Sequence, residues 1–135
     1  MPEVPEILAS AMFAFQEWYG QKGITVVLGD TKVASRIYGF GGSLDALGWR
    51  DGEYGILDWK TGSGIYKEHA LQVAAYAQAL AETYGLTAKW AEIVRFSKKP
   101  PIQFEPKSVK NLTASFQAFL EAKTLSELMS LEHFQ

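Results

Sequence analysis

The sequence predicts an α/β protein in which a mixed β-sheet carries helices on both faces. Three observations predict this class. Apolar residues recur at helical spacing near the N-terminus, two strand-like runs at residues 43–49 and 54–60 flank an Asp-Gly pair, and a long alanine-rich stretch precedes a further strand-like run. Helices and strands in this order pack as layers around one core. We expect a single domain over residues 1–135, a length sufficient for one core and short for two.

Four elements in the first two thirds of the chain are assigned from the spacing and the type of their side chains. One of them is the alanine-rich stretch. Residues 5–19 are predicted to form the first helix, because apolar residues recur there at steps of three and four. Residues 25–28 are rich in β-branched side chains and are predicted to form a short strand. The alternation of apolar and polar side chains in residues 32–40 predicts another strand. Residues 66–84, rich in alanine and leucine, are predicted to form a helix that ends before a glycine.

The C-terminal elements follow from similar signals. Residues 89–96 are predicted to form a strand, and residues 102–104 a short edge strand. Ser108 is placed to cap a helix with one apolar face. Thr124 and Glu127 have the spacing of a capping box, which predicts the start of a last helical piece.

A hairpin with a defined register is the most informative local prediction. Asp51 and Gly52 form an Asp-Gly pair, which favours a two-residue turn of type I′ because both residues tolerate positive φ. With that turn, Asp45 lies directly opposite Asp58. Side chains alternate along a strand, so Lys60 shares the face of Asp58.

Two opposed carboxylates are unfavourable unless something compensates for them. Directly opposed Cβ atoms lie roughly 4.5–5.5 Å apart, and like charges at that distance repel. The pair of Asp45 and Asp58 is tolerated if one carboxyl is protonated, if both are solvated, or if a cation lies between them. Mg²⁺ binds one or two carboxylates together with waters and phosphate oxygens, which fits the third case. The alternative for each residue is an ordinary solvated surface aspartate.

The composition restricts the metal chemistry and the kinds of partner. The chain has no cysteine, which excludes disulfides, thiolate zinc sites and iron–sulfur clusters, and it has only two histidines. Oxygen ligands are therefore expected for any metal. The formal net charge of -2 provides no general attraction for nucleic acid, which weighs against a pure nucleic-acid-binding module. It weighs little against a metalloenzyme, whose bound cation supplies positive charge.

Neither a membrane span nor a signal peptide is predicted. No apolar run approaches the roughly 20 residues that cross a bilayer, and the first residues lack the basic start of a secretory signal. We therefore expect an intracellular, cytoplasmic protein.

Three short motifs in a fixed order resemble the PD-(D/E)XK nuclease superfamily, and within it the RecB-like exonuclease branch without an iron–sulfur cluster. The branch is recognised by a Gly-x-x-Asp, an Asp-x-Lys and a helical Gln-x-x-x-Tyr in this order. The matching residues in this sequence are Gly42 and Asp45, Asp58 and Lys60, and Gln72 and Tyr76. The resemblance covers roughly residues 25–85 and implies a restriction-endonuclease-like fold.

The resemblance implies a role for each matching residue. Asp45 and Asp58 become ligands of Mg²⁺ or Mn²⁺, with the backbone carbonyl of Trp59 as a candidate third ligand. Lys60 becomes the catalytic lysine. Gln72 and Tyr76 become the helical pair that supports the lysine and contacts the DNA backbone; without the resemblance, a helical pair facing the core is the simpler interpretation.

Three further residues are candidates for a supporting acid or base. Many relatives carry a glutamate before the first motif, and Asp30 stands at the comparable position, with Glu17 on the first helix as an alternative. His69 shares the helical face of Gln72 and Tyr76 through steps of three and four.

The function implied by the resemblance is hydrolysis of DNA phosphodiester bonds from a free end, by a Mg²⁺- or Mn²⁺-dependent enzyme. The implied biological role is recombination, repair or replication, often in phage-like gene sets. Two alternatives remain open at this point. One is a structure-specific endonuclease or junction resolvase on the same fold, and the other is a nucleic-acid-binding module that does not cut.

Overall fold

The computed structural model describes residues 16–61, 64, 67–96 and 104–134. Helix α1 is described over residues 16–21, and the greater part of the predicted first helix, residues 5–15, lies outside the described residues. The remaining elements are β1 (Thr25–Ser35), β2 (Phe40–Arg50), β3 (Glu53–Lys60), α2 (Lys67–Tyr84), β4 (Ala88–Phe96), β5 (Phe104–Ser108) and α3 (Leu112–Phe134).

The strands form one five-stranded sheet in the order β1-β2-β3-β4-β5. Strands β3 and β4 are parallel, because α2 carries the chain back across the sheet, and the other three pairs are antiparallel. The sheet is therefore mixed, as the element order predicts. A parallel crossover places the start of α2 near the C-terminal end of β3, and the candidate site residues lie at this end of the strand.

The predicted hairpin between β2 and β3 is confirmed. Asp51 and Gly52 have φ values of 54° and 78° respectively, as a type I′ turn requires at both central positions. The paired residues run from Arg50 opposite Glu53 outward to Ala46 opposite Leu57, which is the predicted register.

The N-terminal strands differ from the prediction. Residues 25–28 and 32–40 are not two separate strands, because β1 runs unbroken over Thr25–Ser35 with a register shift between Val26 and Leu28. Asp30 adopts a positive φ of 38° within this strand, a conformation that aspartate tolerates better than most residues. The chain then turns over residues 36–39, and Phe40 already belongs to β2.

The C-terminal elements also differ from the prediction. The last strand is Phe104–Ser108 rather than residues 102–104, and Ser108 pairs with Glu92 instead of capping a helix. Asn111 is the cap, because its Oδ1 accepts a hydrogen bond of 2.9 Å from the N–H of Ala114. Helix α3 continues through residue 124 without a break. An ion pair between Lys123 and Glu127, one turn apart, crosses the predicted boundary.

Each face of the sheet carries an apolar cluster. On the face opposite α2, the buried residues Ile24, Ala46 and Leu57 pack with Trp18 and Tyr19. Because these two aromatic residues lie in α1, helices cover both faces of the sheet, as predicted. The larger cluster lies between the sheet and α2 and contains Val33, Leu44, Leu47, Ile56, Val73, Ala79, Leu80, Ala91 and Ile93.

Candidate active site

The two predicted carboxylates meet where β2 and β3 separate. Asp45 and Asp58 are the next positions outward from the paired residues Ala46 and Leu57. Asp45 Oδ2 accepts a hydrogen bond of 2.9 Å from the backbone N–H of Trp59, so its carboxylate reaches across to β3. The Asp45 and Asp58 side chains are themselves within hydrogen-bonding contact.

The Asp58 carboxylate is buried and incompletely satisfied. The residue is 3% exposed. Lys60 Nζ lies 3.1 Å from Asp58 Oδ2, close enough for an ion pair. This approach of the ammonium does not form a hydrogen bond, and Asp58 Oδ2 has no hydrogen-bond partner among the described residues. A buried carboxylate oxygen with an ion pair but no hydrogen bond can still accept a hydrogen bond or bind a further cation.

The Asp45 carboxyl has a strongly perturbed acidity. Burial is the main cause, and with the neighbouring Asp58 it raises the pKa of Asp45 to about 6, against the lowering effect of the Trp59 N–H. Two carboxylates in contact resist simultaneous ionisation, which is why a proton or a cation stabilises the pair. Perturbed carboxyl groups of this kind concentrate at functional sites.

A line of hydrogen bonds holds Lys60 against helix α2. Lys60 Nζ donates to Gln72 Oε1 over 3.1 Å, and Gln72 Nε2 donates to the Tyr76 hydroxyl over 3.0 Å. Burial and the nearby Asp58 raise the pKa of Tyr76, so its hydroxyl stays neutral and accepts this hydrogen bond. The second and third predicted motifs therefore meet at one group, the lysine ammonium.

The ring of Tyr76 packs directly on the backbone of Gly42. A Cβ at position 42 would lie 2.6 Å from Tyr76 Cε1 and 3.1 Å from its hydroxyl oxygen. Any larger residue would displace the ring from this position. The glycine of the first motif is thus explained by the tyrosine of the third.

The three supporting candidates lie at different distances from the carboxylates. His69 lies near Lys60, and burial together with that positive charge lowers the pKa of His69. Asp30 is exposed on β1 between the residues paired with Leu44 and Ala46, which places its backbone across from Asp45. Glu17 is exposed on α1, on the other side of the sheet, and no hydrogen bond or ion pair joins it to the described site residues.

A tryptophan that sequence reasoning missed stabilises the hairpin from the opposite face. Gly48 and Gly55 are cross-strand partners, and the ring of Trp90 covers both. A Cβ at Gly55 would lie 2.0 Å from that ring, and Trp90 Nε1 donates to the Glu53 carbonyl over 3.0 Å. The signal was available, because the two glycines are opposed in the predicted register. This packing helps to keep Asp45 opposite Asp58.

The residues present suit a hard divalent cation with few protein ligands. No group of three or more histidine, cysteine, aspartate or glutamate side chains suited to a metal occurs among the described residues. Two carboxylates and a backbone carbonyl remain, and Mg²⁺ accepts such a set because it retains several waters. The buried Oδ2 of Asp58, which has an ion pair with Lys60 but no hydrogen bond, fits the same cation. The side chain of Trp59 packs in the cluster on the opposite face, so only its backbone is available to the site.

Comparison with known proteins identifies a family. The family model of the PD-(D/E)XK nuclease superfamily matches residues 4–132. Among solved structures, an alkaline exonuclease (LHK-Exo) from Laribacter hongkongensis is similar, with 16% sequence identity, a TM-score of 0.43, and alignment over 98% of this chain and 75% of that chain. A search of curated proteins gave no match.

The predicted fold is confirmed by these findings. The mixed sheet with helices on both faces is the restriction-endonuclease-like α/β fold that the resemblance implies. Among the described residues, no helix is both long and apolar enough to span a membrane.

Proposed function

The chain belongs to the PD-(D/E)XK nuclease superfamily, and we propose that it is a Mg²⁺- or Mn²⁺-dependent deoxyribonuclease of the RecB-like branch that degrades DNA from a free end. Members of the superfamily act on nucleic acids and generally use divalent metal ions. The proposal treats residues 1–135 as one catalytic domain. The geometry of Asp45, Asp58 and Lys60 is the single observation that carries it.

Asp45 and Asp58 are proposed as the ligands of the cation, with the Trp59 carbonyl as a third. Asp58 Oδ2 is buried without a hydrogen bond, and burial, together with the neighbouring Asp58, raises the pKa of Asp45 to about 6. Both features are costs that a bound cation removes. When bound, the cation supplies an acidified water and polarises the scissile phosphate.

Lys60 is proposed to act on the reacting atoms. Its ammonium lies between Asp58 Oδ2 and Gln72 Oε1, 3.1 Å from each, so its position is fixed from the strand and from the helix. A fixed cationic donor at this point orients the attacking water and neutralises charge that develops on the phosphate oxygens. Gln72 is a positioning residue, because it directs the lysine, and Tyr76 in turn directs Gln72.

His69 and Asp30 are proposed as supporting groups with different roles. Because the pKa of His69 is lowered, the imidazole is neutral near pH 7, which is the form that can accept a proton. Asp30, whose backbone lies across from Asp45, would bind the cation through water. Among the described residues, Glu17 has no contact that supports such a role.

Digestion of defined DNA forms tests the proposed function. Linear end-labelled and covalently closed circular DNA, each single- and double-stranded, are incubated with Mg²⁺, with Mn²⁺ and with EDTA. We expect mononucleotides or short products from linear DNA, no cutting of circles, and no activity in EDTA. Asp51→Asn, at the exposed turn of the same hairpin, serves as the matched control for Asp45→Asn, since both remove one carboxylate.

Each other outcome selects a different function. Cutting of circular DNA would identify an endonuclease or resolvase on the same fold. If the wild type binds DNA tightly in EDTA and cuts none of the forms in either metal, the protein is a binding module. Equal cleavage by Asp45→Asn and Asp51→Asn would contradict the proposed metal site.

A further inference from the structure

The tight turn between β1 and β2 is fixed to helix α2 by one carboxylate. Glu82 Oε1 accepts hydrogen bonds from the backbone N–H groups of Arg36 and Ile37, over 2.9 and 3.2 Å. Its Oε2 accepts from the Ser35 hydroxyl over 2.6 Å and from Gln78 Nε2 over 2.9 Å. The Ser35 hydrogen bond is the largest of the effects that lower the pKa of Glu82, so the acceptor is ionised at neutral pH.

The rest of the turn is equally well satisfied. The N–H of Tyr38 donates to Ser35 Oγ over 3.1 Å, and the N–H of Gly39 donates to the Ser35 carbonyl over 3.0 Å. The ring of Tyr38 packs edge-on against Phe116 of α3, with centroids 5.1 Å apart. The turn is therefore a rigid feature of the surface, with every backbone N–H of residues 36–39 bonded.

The side chains at the tip of this rigid turn point to solvent. Ile37 is 71% exposed, the largest exposure among the exposed large apolar residues of the described chain. Arg36 is exposed, and its guanidinium forms no hydrogen bond or ion pair with a described residue. An ordered turn that presents a free cation beside an apolar side chain has the chemistry to bind a polyanion that also carries apolar surface.

Helix α2 links this turn to the candidate active site. Gln72 and Glu82 are separated by ten residues of one helix, a distance of about 15 Å. Strand β2 gives a similar distance between the turn and the site, since the five residue steps from Asp45 to Phe40 span about 17 Å. An open groove lined by Lys32, Gly42 and Ser43, among others, lies along this path. Lys32 is paired with Ser43, two residues from Asp45.

We propose that the turn of residues 36–39 is a second contact for the DNA substrate, in which Arg36 binds a phosphate and Ile37 packs against the adjacent sugar. One strand of B-form DNA advances about 3.4 Å per nucleotide. The separation from the carboxylates therefore places this contact about five nucleotide steps from the scissile bond. The inference rests on the proposed function, because it takes the carboxylate pair as the point of cleavage.

Single substitutions at the tip test the contact by affinity. DNA binding is measured by fluorescence anisotropy with a 16-base-pair duplex in EDTA, which prevents cleavage. We expect Arg36→Ala to weaken binding about five- to tenfold. The slope of log K against log salt should become shallower by about 0.9, the value for one phosphate. Ile37→Ser should weaken binding about two- to fivefold without a change in slope.

Lys89→Ala is the matched charge control. Lys89 is exposed at the start of β4, at the end of the sheet away from the carboxylates, because Lys60 pairs with Arg95 further along β4. Its removal changes the net charge by the same unit and should leave both the affinity and the slope unchanged. Both tip residues are exposed, so we expect their variants to melt within about 2 °C of the wild type.

The position of the contact is tested with modified DNA. One uncharged methylphosphonate is placed in turn at each of the first eight linkages of the 16-base-pair duplex, and single-turnover removal of the terminal nucleotide is followed in Mg²⁺. The wild type should be slowed by the modification at the fifth or sixth linkage. Arg36→Ala should not respond to it there, because the partner of that phosphate is already absent. Glu82→Gln, which weakens the support of the turn, should give an intermediate response.

The outcomes separate this inference from the proposed function. If the wild type cuts DNA and the tip variants bind and cut as it does, the turn is not a DNA contact, although the nuclease function stands. If the wild type cuts nothing but Arg36→Ala still loses affinity and salt dependence, the contact stands and the nuclease function fails. A wild type that neither binds the duplex in EDTA nor cuts any DNA form in Mg²⁺ overturns both.

Discussion

The ring of Tyr76 lies against Gly42 so closely that one added methyl group would overlap it, 2.6 Å from Cε1. This contact connects the first motif, which ends at Asp45, with the third motif on α2. Since Tyr76 holds Gln72 and Gln72 holds Lys60, the steric fit at Gly42 is transmitted to the ammonium beside Asp58.

Gly42→Ala should therefore impair cleavage although it removes no polar group. The Tyr76 ring must move by several tenths of an ångström or more, which costs roughly 1–3 kcal/mol as an overpacked contact and shifts Gln72. We expect at least a tenfold fall in the single-turnover cleavage rate in Mg²⁺. Gly41→Ala is the control, because a Cβ there would meet its nearest neighbour, the Val33 carbonyl oxygen, at 3.4 Å. Equal rates for the two variants would contradict the role of the contact.

The part of the fold that sequence predicted best is governed by local chemistry. The turn at Asp51 and Gly52 requires two positive φ values, and that requirement fixes the register of the β2–β3 hairpin up to the pair of Ala46 and Leu57, next to Asp45 and Asp58. The ends of β4 and of the crossover helix α2, which is rich in alanine and leucine, were predicted within a residue or two.

The errors arose where distant contacts decide the structure. Glu82, more than 40 residues away, satisfies the turn after Ser35, and no pattern in the local sequence separates β1 from β2 there. Ser108 was predicted as a cap, but pairing with Glu92 keeps it in a strand. The burial of Asp58 Oδ2 without a hydrogen bond and the packing of Tyr76 on Gly42 likewise depend on the three-dimensional arrangement.

Lys60→Ala should abolish cleavage and leave the fold and metal binding largely intact. The Lys60 side chain is 24% exposed, and it belongs to neither of the two apolar clusters among the described residues. Its loss removes stabilisation of the transition state, for which we expect a rate reduction well above tenfold, or ~1.4 kcal/mol. Thermal melting and Mn²⁺ titration provide the checks on folding and metal binding. A variant that cleaves within tenfold of the wild type would show that Lys60 is not catalytic.

The stability of the metal-free protein should depend on pH through Asp45. The pKa of this carboxyl is about 6 in the folded protein and near its ordinary value of 3.8 in the unfolded chain. Between these values the folded state binds the extra proton, so stability is highest at low pH and falls as pH rises toward about 6. In EDTA, the melting temperature of Asp45→Asn relative to the wild type should rise by roughly 2–5 °C between pH 4 and pH 7.

Asp51→Asn serves as the control for this pH dependence. Asp51 is exposed in the hairpin turn, and asparagine accepts the same positive φ. Its melting temperature relative to the wild type should stay nearly constant over the same pH range. A flat difference for Asp45→Asn as well would show that burial does not disfavour its carboxylate.

Asp45→Asn should change DNA binding in opposite directions with and without metal. In EDTA, the substitution removes a negative charge beside the phosphate path, and we expect binding slightly tighter than that of the wild type. In Mg²⁺ at neutral pH, the wild type gains a cation that bridges protein and phosphate, and the variant loses most of that gain. Electrostatic repulsion alone would predict tighter binding by the variant in both conditions, so the change of sign distinguishes a metal bridge from repulsion.

This sign change is measured by fluorescence anisotropy with a duplex made of a cleavage-resistant phosphodiester analogue, so that Mg²⁺ causes no degradation. The unmodified duplex in EDTA is the control. Both proteins should bind more weakly as salt is raised, because DNA is held through local cations. Asp51→Asn, which removes the same charge away from the metal, should follow the wild type in Mg²⁺. If Asp45→Asn binds more tightly than the wild type in Mg²⁺ and also cleaves normally, the carboxylate pair does not hold the catalytic cation and the nuclease site lies elsewhere.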